Sequence, residues 1–118
     1  MGQYDEGTAA ARAQHRFKLF QPTTMVVGAS VGSSLLRVHL LDLSATGALV
    51  HHAAPPTVGA TVRLECAGRM RMAHVVWISG SRFGVAFALP LNEHQLDHAL
   101  TQQRDMIAAH TQRVGAVA

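Results

Sequence analysis

Two arginines, Arg12 and Arg16, stand four residues apart near the start of the chain, and Asp42, Ser44 and Gly47 follow as Asp-x-Ser-x-x-Gly. Each residue type has its own chemical use. Arginine carries a planar fork of donors that grips a paired acceptor edge at two points, and the same plane stacks on rings or holds a phosphate. An ionised aspartate offers only acceptors, so it receives N–H groups or keeps an arginine fork in position. A serine hydroxyl donates and accepts. Glycine removes a Cβ where something must come close to the backbone. Plainer readings stand beside these: solvated surface arginines, and an Asp/Ser turn whose glycine permits positive φ. Nine arginines in 118 residues produce about 0.7 Arg-x-x-x-Arg pairs by chance, whereas the chance count for Asp/Asn-x-Ser-x-x-Gly is about 0.02. The second pattern therefore carries most of the information. Catalysis is the least expected use, because no carboxylate pair on a plausible cleft, Gly-x-Ser-x-Gly, glycine-rich phosphate loop or Cys/His pairing accompanies it.

These residues must be positioned by one small domain. The chain has 118 residues, 48% apolar and only 14% charged, enough to build a core and too apolar for wholesale disorder. Ten Lys+Arg against seven Asp+Glu leave a formal +3. Lys18 is the single lysine, and the arginines form no run, so a polybasic nucleic-acid or membrane tail is excluded. Cys66, the one cysteine, excludes an internal disulfide and a cysteine-based zinc cluster. Residues 1–16 hold no apolar leader core, and Glu6 stands where a myristoylation pattern wants Ser or Thr. No stretch approaches the roughly 18 consecutive apolar residues of a membrane span. The expected location is the cytoplasm.

Residues 1–16 read as a flexible arm ending in Arg16. Residues 17–89 read as about six short antiparallel strands. They lie within Phe17–Val27, interrupted at Pro22, then Leu35–Leu41, Gly47–His51, a strand through Val62, Leu64 and Cys66, Met70–Ile78 and Arg82–Ala88. Asp42 ends the second strand, Leu43–Thr46 turns, Ala53–Gly59 loops, and Gly68 and Gly80-Ser81 mark tight turns. Residues 90–113 form a C-terminal amphipathic helix, from Glu93 to about Thr111, with Asn92 as N-cap and Gln95 as its capping-box partner. Residues 114–118 fray. The predicted fold is mainly β: a small six-stranded antiparallel barrel, closed because closure removes exposed edges, plus one helix that covers the barrel mouth or a second subunit.

With both motifs intact and in order, and with Val75-Val76-Trp77 followed across a turn by Gly84-Val85-Ala86-Phe87, the chain from Arg12 to Ala88 resembles the PilZ domain family, bacterial receptors for cyclic di-GMP. The resemblance implies that Arg12, Arg16, Asp42, Ser44 and Gly47 bind this nucleotide. Arg would take guanine O6 and N7 or a phosphate. Asp42 would take guanine N1–H and N2–H or steady an arginine. Ser44 would meet an amino group or a phosphate, and Gly47 would let a base approach the backbone. It also implies a non-catalytic cytoplasmic receptor, without cofactor or metal, that signals to a downstream protein, as monomer or homodimer. The arm is expected to order when the ligand lands.

Trp77 reads first as core, with a wall beside the ligand as the alternative. Phe83, Phe87 and Cys66 read as core, and Arg69 and Arg71 as an outward strand face. His94 and His98 share a helix face without completing a metal set. The competing function is a degenerate PilZ-like adaptor that binds protein and no nucleotide. A single-stranded nucleic-acid barrel lacks the aromatic platform it needs, since aromatics are 5% of the chain.

Overall fold

The computed structural model describes residues 15–28 and 34–102. Among them lie six strands: β1 (Phe17–Val27), β2 (Ser34–Leu43), β3 (Gly47–His51), β4 (Thr61–Cys66), β5 (Arg69–Ser79) and β6 (Arg82–Phe87). Every neighbouring pair is antiparallel, and the order β1-β2-β3-β6-β5-β4 closes on itself. This is the predicted barrel. Alternation supplies its core: Met25, Val38, Leu40, Val50, Val62, Leu64, Val75 and Phe83 point inward and are buried, while the residues between them face out.

Several boundaries differ from the sequence reading. β1 continues through Pro22, which lies opposite His39 of β2. β1 meets β4 only from Met25 to Val27, so Pro22 has an edge setting, where a strand tolerates the missing N–H. β2 extends through Asp42 and Leu43, leaving Ser44–Thr46 as the turn into β3. The β4–β5 hairpin turns on Ala67 (φ 53°) and Gly68 (φ 79°), two consecutive positive-φ residues that suit the right-handed twist of the strands. Arg71 steadies it, donating Nε to the Cys66 carbonyl at 2.8 Å and Nη2 to that of Ala67 at 3.4 Å.

Three register shifts interrupt the alternation, between Lys18 and Gln21, between Leu40 and Asp42, and between Val75 and Trp77. One extra residue on a strand reverses which face the following side chains occupy. In β2 the extra residue is Leu41. Leu40 pairs with buried Val50 and Leu43 with buried Ala48, while Asp42 pairs with Leu49 on the outer face. In β5 the extra residue is Val76. Val75 pairs with buried Val85, but Trp77 pairs with Gly84 on the outer face. Trp77 is therefore not a core residue, and the core expectation for it is corrected. Strict alternation from Val75 would have sent it inward.

Helix α1 occupies 93–102 of the described residues. Asn92 N donates to Gln95 Oε1 at 2.9 Å and Gln95 N to Asn92 Oδ1 at 2.8 Å, the reciprocal capping box the sequence predicts. Leu91, Leu96 and Ala99 join the same buried cluster as the strand residues, so the described turns of α1 cover the barrel. The predicted continuation to Thr111, the tail, and the arm through Gln14, including Arg12, lie outside the described residues. None of the described helical residues forms a segment long and apolar enough to cross a membrane.

Candidate functional site

The β2–β3 turn and the outer faces of β5 and β6 enclose a cleft of about 180 Å³ lined by Arg16, Ser44, Thr46, Gly47, Trp77 and Gly84, among others. Arg16 reaches it because the next residue, Phe17, pairs with Leu43 at the end of β2. That register holds the start of β1 beside the turn. Arg16 Nη1 lies 3.6 Å from Asp42 Oδ1, with the arginine side chain 62% exposed and the aspartate 14%. A pair this exposed contributes little to stability, about 0–1 kcal/mol. Its effect is to aim the guanidinium. Asp42 Oδ1 also accepts the Leu49 N–H at 3.2 Å. Asp42 stands behind Arg16 and ties it to β3; it is not among the residues lining the cleft.

Ser44 is buried, and its hydroxyl oxygen accepts the backbone N–H of Gly47 at 3.2 Å and of Thr46 at 3.3 Å. The same hydroxyl lies 3.3 Å from both Thr46 Oγ1 and the Gly47 carbonyl. Ser44 N donates to that carbonyl at 2.9 Å. These are the bonds by which serine replaces a missing backbone partner in a tight turn. Two further bonds fix the turn from outside: Phe87 N to Thr46 O at 2.9 Å and Leu91 N to Ala45 O at 2.7 Å. Gly47 pairs with Ala86 of β6, and a Cβ there would overlap the Val85 carbonyl oxygen. The space that glycine leaves is thus filled by the barrel's own backbone rather than kept for a guest.

Trp77 forms the opposite wall. Its side of β5 faces Gly84, where a Cβ would come within 2.6 Å of indole Cε2 and 2.8 Å of Cδ1. The indole lies across a glycine, and the residue stays 38% exposed. An aromatic ring laid on bare backbone and open to solvent offers a flat apolar surface with one N–H donor. The cleft therefore joins a cation, an indole face and backbone polar groups, a set suited to holding a planar anion.

Of the expected residues, the structure brings Arg16, Ser44, Gly47 and Trp77 to one cleft and puts Asp42 behind Arg16; Arg12 lies outside the described residues. Thr46 and Val76 line the cleft as well, beyond the residues to which the sequence points. Thr46 sits inside the spacer of the Asp-x-Ser-x-x-Gly motif, and Val76 is the bulge residue. The run Val75–Ile78, apolar at four successive positions, was the sequence signal that alternation fails there.

A larger cavity of about 290 Å³ opens where β1 and β4 diverge, lined by Gln21, Thr24, Arg37, Glu65, Cys66 and Gln102, among others. It contains none of the motif residues. Burial pushes the Cys66 thiol up to about 11, with nearby Arg71 opposing the shift. This keeps the sulfur protonated and unreactive at neutral pH. Among the described residues, no three His, Cys, Asp or Glu side chains gather around a common point.

A family model described as the PilZ domain matches residues 10–103. A comparison with curated proteins finds no match. The matched span runs from before Arg12 to just past the described end of α1, about four-fifths of the chain, and takes in all six strands of the closed antiparallel barrel: this chain belongs to the PilZ domain family.

Proposed function

We propose that the chain is a receptor for cyclic di-GMP that uses the cleft between the β2–β3 turn and Trp77. PilZ domains are generally non-catalytic receptors for this dinucleotide. The reading is carried by one observation: Arg16, aimed by Asp42, shares a cleft with an exposed indole. The ligand is a dianion bearing two guanines. Arg16, with Arg12 arriving on the arm, takes a phosphate or the O6/N7 edge of guanine through its fork, a contact worth about 1–3 kcal/mol of discrimination when bidentate. Trp77 gives a base a face to lie against. Ser44 and Gly47 hold the turn in the shape that accepts the ligand, and Asp42 positions Arg16. Residues 1–16 order as the arginines close, and the changed surface signals to a downstream protein in the bacterial cytoplasm. Ordering a segment costs free energy, so the affinity is moderate, around micromolar or about −8 kcal/mol.

Calorimetry with cyclic di-GMP on the wild type, Arg16→Ala and Asp42→Ala tests this reading. Micromolar binding by the wild type and binding at least tenfold weaker in both variants is the expected result. No heat with the wild type at high micromolar nucleotide would overturn it in favour of a protein-binding adaptor. Hydrogen exchange tests the relay separately: equal protection of residues 1–14 with and without nucleotide would leave the arm no part in signalling.

A further inference from the structure

The outward positions of β5 break the usual rule for a solvated sheet face. An antiparallel strand with one wet side places polar residues there. On β5, Met70 (43% exposed), Met72 (49%) and Val76 (45%) face out, with Trp77 beside them; of this series only His74 is polar. The outward residues of β4, by contrast, are Thr61, Arg63 and Glu65. From Met70 to Val76 the stripe is about 20 Å long at strand rise, the length of about four helical turns. Methionine and aromatic side chains are enriched where proteins meet partners, because they present adaptable apolar area.

The charges beside the stripe indicate what covers it. Arg63 lies directly across from Met72, and Arg82 across from Ser79; Glu65, across from Met70, is the one acid in these pairs. Arg63 Nε is enclosed and has no hydrogen-bond acceptor among the described residues. A second copy would bring the same arginines to the same face, on a chain already at +3. An acidic partner would neutralise them. β5 is laddered to β4 over Arg69–His74 and to β6 over Ala73–Ser79, and its apolar groups stand on its face. The fit is therefore to a helix laid on that face, with anchors at i, i+3, i+4 and i+7.

We infer that the outer face of β5 docks an acidic amphipathic helix of another protein through Met70, Met72 and Val76, with Arg63 and Arg82 meeting its carboxylates. Only the placement of this face beside the nucleotide rests on the proposed function, since Val76 and Trp77 also line the cleft.

The test uses the full chain and a designed helical peptide with leucines on one face and glutamates on the other. Emission of Trp77, the sole tryptophan, reports binding. Mid-micromolar affinity is expected. It should weaken at least tenfold in the Met70→Gln/Met72→Gln double variant and in Arg63→Glu, and also when lysines replace the peptide's glutamates. Both variants should keep wild-type thermal midpoints and wild-type cyclic di-GMP titrations. A peptide that fails to bind, or binds equally well to the double variant or in its lysine form, would overturn the inference. So would sedimentation showing a wild-type dimer that the double variant abolishes, because the stripe would then cover a second copy. Loss of nucleotide binding with peptide binding intact would count against the nucleotide reading alone.

Discussion

The two walls of the cleft are built in different ways. The β2–β3 turn is bonded into itself through Ser44, to β6 through Thr46 and to the segment before α1 through Ala45, and Gly47 is pressed against the Val85 carbonyl. The other wall is one side chain, Trp77, resting on Gly84. Backbone cannot move without disturbing two strands, whereas an exposed indole can rotate. The contrast separates a motif from a contact surface. The residues that make Asp-x-Ser-x-x-Gly recognisable mostly hold the turn, and the groups open to a guest are Arg16 and Trp77, neither of which is distinctive by itself.

Substitutions on each wall break or sharpen this contrast. Gly47→Ala drives a Cβ into a backbone oxygen and should cost about 3 kcal/mol or more, read as a fall in urea midpoint; a midpoint close to wild type would mean the turn yields. Cys66, on the far seam, is the reference away from both walls. Its folded-state pKa is raised above 9.0 to about 11 by burial. Its contribution is therefore complete below pH 9 and is lost as pH rises towards 11, by at most about 3 kcal/mol. Cys66→Ala should flatten that part of the stability profile, and an unchanged alkaline decline would remove the thiol from the account. Arg16→Ala should weaken cyclic di-GMP at least tenfold, about 1.4 kcal/mol, with an unchanged thermal midpoint, because the side chain is mostly solvated. Ser44→Ala should cost about 1 kcal/mol of stability through its lost turn bonds and less affinity than Arg16→Ala; the reverse pattern would make the hydroxyl a ligand contact. Gly84→Ala should cost under about 1 kcal/mol, because the indole swings aside and its emission shifts. A loss equal to that of Gly47→Ala would make the two walls alike.

Much of the architecture is legible in the residues alone. Inward alternation at Val62, Leu64 and Cys66, the glycines at the hairpins, and Asn92 with Gln95 at the helix start are local signals that the packing leaves intact. Asp42 and Trp77 were less legible. Each follows a bulge, and a bulge depends on what the neighbouring strand can accommodate, which no run of residues on one strand reveals. The function of Gly47 was hidden for a related reason. Sequence shows that a Cβ is absent; only the β3–β6 contact shows what occupies its place. Pro22 misled in the opposite sense, because a proline ends a central strand but not one with an open side.

The bulges at Leu41 and Val76 make side-chain facing here a matter of odd and even. If the bulge were smoothed with Val76 kept, so that Val76 alone opposed Gly84, Trp77 would fall opposite Phe83 and turn towards an interior that Phe83 already fills, and the cleft would lose its aromatic wall. In this barrel, then, where the bulge sits is the coarse adjustment of the binding surface and point changes are the fine one.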